Sequence, residues 1–266
     1  MSWHFTEDPA VFRDVVHDRL AADPARNTTL LGMLETTGPR GWWGEHGDVG
    51  GAFVVGAPAG VLLLGVMPDA AARAPAAEPL WDGGEVTEVR GESRTVEAYA
   101  RATGRSWRTT RRLRLFRLGE LTPPHPAPPG APRVAGPGDV PLALTWMREF
   151  ARDVGEDPDA DYTANVEARV KEGRLHLWEV DGRAVAMASV SRLVAGQARV
   201  SPVCTPPAHR ARGYGGAVTS AVSRSALDGG AAQVLLFTDV ANPTSNALHQ
   251  RLGYRPIGDH SSVALD

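Results

Sequence analysis

A chain of 266 residues with 42% hydrophobic and 22% charged side chains carries enough apolar material for one large or two ordinary globular domains, and its formal charge of -3 excludes a global pull toward nucleic acid or an anionic membrane. A single cysteine, Cys204, excludes an internal disulfide framework and a thiolate-rich metal site. The opening MSWHFTEDPA lacks a basic region ahead of an apolar run, and the longest apolar stretch is interrupted by Gly56, Pro58 and Gly60, so neither a secretory signal nor a membrane span is predicted and a cytoplasmic location is expected.

In chain order, Asp8 is read as the cap of a helix with Pro9 at its first position, along which Phe12, Val15, Val16 and Leu20 share one face. AFVVGAPAGVLLLG gives two short strands about a Gly/Pro turn. RRLRLFRLGE alternates arginines with Leu113, Leu115 and Leu118, the period of a half-buried strand with a wet basic face rather than of a nucleic-acid surface. The segment from Leu121 to Asp139 is dense in proline and glycine and reads as a stiff linker. The chain is therefore divided into a domain over 1–120, a linker over 121–131 and a second domain over 132–266.

The second half repeats the grammar of the first. Asp139 can cap a helix bearing Leu142, Trp146, Met147 and Phe150. FARDVGEDPDADY then gathers Asp153, Glu156, Asp157, Asp159 and Asp161, either a solvated loop or an attractor for a cation. HLWEVDGRAVAMASVSR reads as two strands around Asp181-Gly182. WEVDGRAVAMA is similar to FVVGAPAGVLLLG, which makes a weak internal repeat plausible, but only the second copy goes on to a glycine-rich loop.

That loop, VCTPPAHRARGYGG, leads into an apolar helical run. The first N–H groups of a helix have no internal partner, and the helix dipole adds positive character there. Gly213, Gly215 and Gly216 let the main chain approach a ligand without obstruction, while Arg210 and Arg212 bring donors and charge, so the loop reads as a phosphate cradle. No Gly-Lys-Ser/Thr follows, as in a Walker loop, and no acidic residue stands where a dinucleotide turn needs one. A buried strand, Asn242 and a second helix ending at Gly253-Tyr254 come next.

With V-x-T-P-P-x-x-R-x-x-G-x-G over Val203 to Gly215 and N-x-x-x-N-A-L-H-x-x-x-G-Y over Asn242 to Tyr254, the sequence resembles the GNAT superfamily of N-acetyltransferases. The resemblance implies an α/β fold of two GNAT-like domains, each a mixed, mostly antiparallel sheet flanked by helices, the first a degenerate copy. It also implies acetyl coenzyme A as cosubstrate, with no metal. Main-chain groups of Val203, Cys204 and Thr205 would meet the pantetheine arm, and an N–H near Val203 would polarise the thioester carbonyl. Donors of Ala211, Gly213, Tyr214, Gly215 and Gly216 would hold the pyrophosphate, with Arg210 or Arg212 on phosphate oxygens and Asn242 anchoring the pantetheine. His249 stands where the family usually places the tyrosine that protonates the departing thiolate, and is expected to act as the general acid. Asp239, Glu149 and Glu179 are candidate bases with no motif behind them, and Cys204 is not expected to be a nucleophile. The expected activity is direct acetyl transfer to a primary amine, a small molecule being favoured over a protein; the rival is a non-catalytic module that senses acyl coenzyme A. Neither nucleic acid nor membrane is an expected partner, and the oligomeric state is open.

Overall fold

A short strand, β1 (Ser2–Thr6), leads into α1 (Pro9–Ala21), where Asp8 Oδ1 accepts from the N–H groups of Ala10 at 2.8 Å and Val11 at 3.4 Å. The computed structural model describes residues 2–6, 8–34, 40–46, 49–55, 60–77 and 85–266. The chain forms two compact units, Met1–Leu115 with Ile257–Asp266, and Phe116–Pro256.

In the first unit α1 is followed by α2 (Thr28–Leu34), β2 (Arg40–His46), β3 (Val49–Val55), β4 (Val61–Leu64), α3 (Asp69–Ala77), β5 (Glu88–Glu92), α4 (Ser93–Ala102) and β6 (Trp107–Leu118), of which the part up to Leu115 belongs here. The final strand, β12 (Tyr254–Leu265), joins from His260 onward, pairing antiparallel with β5 through His260↔Glu92 to Ala264↔Glu88. The resulting order is β1-β2-β3-β4-β5-β12. All of these pairs are antiparallel except β4 with β5, whose connection through α3 supplies the crossover that a parallel pair needs. Phe12, Val16 and Leu20 of α1 are buried, but Val15 is 43% exposed, because a spacing of four keeps to one stripe and Val15 falls beside it. The two strands expected about the Gly/Pro turn are β3 and β4, paired through Phe53↔Leu64; the turn at 56–59 lies outside the described residues. On β6, Leu115 is fully buried while Arg114 pairs with Asp259 at 2.8 Å, so this basic stretch is half-buried strand.

The second unit runs β7 (Ala131–Val134), α5 (Val140–Asp153), α6 (Thr163–Lys171), β8 (Leu175–Val180), β9 (Arg183–Val190), β10 (Gln197–Cys204), α7 (Tyr214–Asp228), β11 (Gln233–Asp239) and α8 (Pro243–Arg251). Its order is β11-β10-β9-β8-β7, antiparallel except for β10 with β11, which α7 connects. Asp181 at φ 47° and Gly182 at φ 73° make the β8–β9 turn with two positive φ values, as the Asp-Gly pair predicts. Asp139 does not cap α5 through its side chain. Its carboxylate accepts instead from Gly136 N at 2.8 Å and from both terminal nitrogens of Arg133, a two-pronged charged bond that outweighs a single cap. Residues 121–131 lie within this unit, with Thr122 N donating to Leu252 O at 3.0 Å and Trp178 Nε1 to Pro129 O at 2.8 Å.

Side chains alternate across the sheet, so Leu177, Met187 and Cys204, which are in register on β8, β9 and β10, share one face with α5 and α6. His176, Ala188 and Val203 form the adjacent row on the other face, where α7 packs over Ala186, Ala188, Val200 and Leu236. No helix among the described residues is long and apolar enough to cross a membrane.

Candidate functional site

The parallel pair β10–β11 stays in register at Gln197↔Gln233, Ala198↔Val234 and Arg199↔Leu235, and no further pair follows. Residues 200–204 of β10 and 236–239 of β11 therefore continue as strand without each other. Three features drive them apart. A register shift between Val200 and Val203 marks a bulge against β9, and a bulge bends the strand that carries it. Pro202 brings no N–H to any ladder. The Arg169 guanidinium on α6, largely buried, donates to Ser201 O and to Ser189 Oγ and so fixes the bulge from below. Burial lowers this guanidinium to about 10, with Arg174 and Arg199 adding to the effect, so it remains charged at neutral pH.

On the β11 side, Asn246 of α8 holds the strand end. It accepts from Thr238 Oγ1 at 2.6 Å and donates to Asp239 O at 2.9 Å and to Asn242 O at 2.7 Å. Asn242, expected to anchor the pantetheine, is the N-cap of α8, and its Oδ1 accepts from Ser245 N at 3.0 Å, so that oxygen is already bonded within the chain. Sequence reading assigned no role to Asn246 or Arg169. The N-x-x-x-N spacing carried a signal for the first; nothing local marked the second.

At the other end of β10 the glycine-rich loop reaches α7. Gly213, at φ 85°, is the N-cap and can supply no side-chain cap, which leaves the first-turn N–H groups of Tyr214, Gly215 and Gly216 without an intrahelical partner. Ala217 N is the first to bond back, to Gly213 O at 3.1 Å. Residues 210–213 are exposed. Arg210 does not point freely: its Nε donates to Thr205 O at 2.9 Å and its Nη2 meets Asp153 Oδ2 at 2.6 Å, clamping the loop onto the end of α5. Arg212 is exposed, and Tyr214 is buried in the core. A Cβ on Gly215 would stand 3.1 Å from Thr205 Oγ1, and one on Gly213 would stand 3.5 Å from Pro128, so the proline-rich segment lies close against the loop.

His249 is 6% exposed on α8, edge-on to the Tyr254 ring with centroids 5.9 Å apart. Its Nδ1 lies 3.4 Å from Ser245 Oγ, and its Nε2 is buried with no hydrogen-bond partner. Burial lowers its pKa to about 4, so the ring is neutral at pH 7; the imidazolium expected from the sequence is not its resting state. Tyr254 is locked by a 2.6 Å bond to Ser223 Oγ.

Cys204 is 4% exposed, and its thiol is pushed up to about 12, first by burial and then by Glu149 and Asp153, which makes it a poor nucleophile at neutral pH. Of the candidate bases, Asp239 accepts from Ala241 N at 2.7 Å and Glu179 pairs with Arg133, while Glu149 Oε2 is buried without a partner. The acidic loop is largely engaged in its own turns. Asp157 and Asp161 accept from Asp159 N and Thr163 N, each at 2.9 Å, and Asp153 is paired with Arg210. No group of three potential metal ligands comes together among the described residues.

The profile of a family described as "Acetyltransferase (GNAT) family" matches residues 142–254, a span from α5 to Tyr254 that holds both strand ends, the loop and α8. No curated protein matches the chain. Among solved structures, an acetyltransferase from the GNAT family of Colwellia psychrerythraea is similar over 100% of this chain and 99% of its own, with a TM-score of 0.65 at 13% identity. A GCN5-related N-acetyltransferase from Kribbella flavida is similar over 93% of this chain and 94% of its own, at 0.60 and 20%. A tandem GNAT protein from the clavulanic acid biosynthesis pathway is similar over 99% and 98%, at 0.62 and 14%. At such identities the likeness is one of fold.

Proposed function

We propose that this chain, whose residues 142–254 belong to the GNAT acetyltransferase family, transfers the acetyl group of acetyl coenzyme A directly to a primary amine of a small molecule, with the donor held by the second unit. The observation that carries this reading is the parting of β10 from β11 after Arg199↔Leu235, beside a helix N-terminus with no side-chain cap. Main-chain groups along 200–204 that β11 no longer partners, apart from Ser201 O, suit the amides of a pantetheine arm, and the N–H groups from Ala211 to Gly216 suit a diphosphate. In this reading Val203, Cys204 and Thr205 act through their backbone, Arg212 has the freer guanidinium for phosphate, and Arg210 braces the loop. Asn242 contributes through its side-chain amide nitrogen, since its backbone N–H and carbonyl are bonded to Asp239 O and to Asn246. No metal takes part, and a cytoplasmic location belongs to the same proposal.

His249 is assigned to the departing thiolate. A neutral imidazole can take up a proton that the attacking nitrogen loses, and a thiolate forming beside it favours the protonated ring, which raises the lowered pKa until that proton passes to sulfur. Replacement by tyrosine is expected to preserve or raise turnover, and replacement by phenylalanine to lower kcat by roughly 10- to 100-fold. An unchanged kcat in the phenylalanine variant removes this assignment.

The low basicity of His249 also favours a second reading, a module that binds acyl coenzyme A without turning it over. Calorimetry with acetyl coenzyme A, followed by an amine screen that detects free thiol, separates the two. Heat with thiol release supports the enzyme, heat alone supports the sensor, and neither removes both. The first unit has the succession of elements expected of a degenerate second copy, so the tandem arrangement is part of the proposal.

A further inference from the structure

Residues 121–130 lie outside the family match at 142–254 and run along the second unit as a strap fixed at both ends. At one end Gly119 N donates to Gly253 O at 3.1 Å and Thr122 N to Leu252 O at 3.0 Å, while Leu121 packs on the core. At the other, Pro129 O accepts from Trp178 Nε1 at 2.8 Å, and Gly130 passes Glu179 O so closely that a Cβ would collide with it. Four of the six residues between, 123–128, are proline, so the span is stiff and brings few N–H groups of its own. Pro124 and Pro128 are half-buried, whereas Pro123, His125, Pro126 and Ala127 are exposed. The two half-buried rings face the first turn of α7. A Cβ on Gly213 would stand 3.5 Å from Pro128 Cβ, and one on Gly216 would stand 3.5 Å from Pro124 Cγ and 3.8 Å from Leu248 Cδ1. Each ring therefore sits across from the helix backbone by the width of the methyl group that glycine omits.

We propose that Pro124 and Pro128 are further residues of the donor site, forming a fixed apolar wall beside the amides that take the diphosphate of acetyl coenzyme A. The proposal rests on the acetyl-transfer reading above. Helix-end amides open to water hold an anion weakly, because solvent and salt screen the attraction. A ring on one side of those amides displaces water from them and lowers the local dielectric, so the same charge is held more tightly. Two anchored ends and the fixed proline φ keep the wall in place before the ligand arrives, so binding does not have to order it. Proline suits the position for a second reason. Its ring offers an anion neither a donor nor a charge, which leaves selection of the diphosphate to the loop and to Arg212.

The experiment compares wild type with the double variant Pro124→Ala/Pro128→Ala and with Pro123→Ala, which removes an exposed ring from the same strap. Calorimetry with acetyl coenzyme A is run at low and at high salt, alongside a melting temperature for each protein. The double variant is expected to lose about 10-fold in affinity at low salt, and the loss to widen at high salt as the uncovered amides are screened. Pro123→Ala is expected to stay within about 2-fold of wild type at both. A purely structural role of the rings would lower the melting temperature and the fraction of chains that bind, while leaving the salt dependence of affinity as in wild type. Should the double variant fail to fold, Pro124→Ala and Pro128→Ala alone undergo the same comparison, with an expected loss of about 3-fold each. An unchanged or raised affinity, an equal loss in Pro123→Ala, or a loss that does not grow with salt overturns the proposal. Absence of donor binding to wild type instead removes the acetyl-transfer reading, and this proposal falls with it.

Discussion

The two units run through the same succession of elements, yet their parallel strand pairs end differently. In the first, the register Val61↔Glu88 to Leu63↔Arg90 stops only one residue short of the end of β4. The main chain beyond is already bonded: Gly65 N donates to Ala52 O and Val66 N to Asn27 Oδ1, each at 2.9 Å. At Gly91, a Cβ would stand 2.7 Å from Leu64 O, so the strand ends press together and only glycine fits. In the second unit the same number of pairs is followed by strand on both sides that no longer pairs across. The first unit even keeps a tyrosine, Tyr99, at the step past the cap Glu92 that His249 takes past the cap Asn242, but its hydroxyl is buried and pushed up to about 12. The fold is shared by both units; the parting of the strands beyond their last pair, on which the proposed donor site rests, is not.

The largest expected effect tests that contrast directly. Gly213→Val puts a β-branched side chain at φ 85° and against Pro128, so the first-turn amides of α7 must move. Affinity for acetyl coenzyme A is expected to fall about 100-fold, roughly 2.7 kcal/mol, in calorimetry. Wild type is expected to bind one molecule per chain, and two would break the comparison. A smaller effect concerns the second unit alone. His249 has a pKa lowered to about 4 in the folded chain against an ordinary value near ~6.5, so below pH ~6.5 the unfolded chain takes up a proton that the folded chain refuses. The stability is present above pH ~6.5 and is lost as pH falls toward 4, by roughly 2–3 kcal/mol in total. Urea melts at pH 7 and pH 4.5 are expected to differ less in His249→Phe than in wild type; equal differences would place the ring in a wetter setting.

Much of this architecture was legible in the sequence because its determinants are local. Asp8 before Pro9, the Asp181-Gly182 turn, and the glycines at 213, 215 and 216 act within a few residues of themselves. What the sequence hid depends on partners far along the chain. The point where β10 leaves β11 is held by Arg169 reaching Ser201, the closure of the first unit by Asn27 reaching Val66, and the low basicity of His249 by a wall that includes Tyr254. Asp139 misled for the same reason, since its preference for a cap is local and its capture by Arg133 is not. Nor does any pattern in the last residues announce that they pair with β5.

The smallest effect sharpens the comparison from the first unit's side. Asn27 is 4% exposed, accepts from Val66 N, and donates to Leu20 O at 3.3 Å and Asp23 O at 3.2 Å. Asn27→Ala leaves Val66 N without a partner, while Leu20 O and Asp23 O keep backbone donors, at an expected loss of about 1–2 kcal/mol, read as a lower melting temperature. Asn27→Asp keeps the acceptor for Val66 N and is expected to recover part of that loss. Neither variant is expected to change the affinity for acetyl coenzyme A, because every donor assigned to that ligand lies within Phe116–Pro256. If Asn27→Ala instead gained a second molecule of the carrier per chain, the closure would rest on this one side chain. If binding stayed at one, the close approach at Gly91 would be enough to keep the first pair of strands shut, and the difference between the two units would lie in the backbone itself.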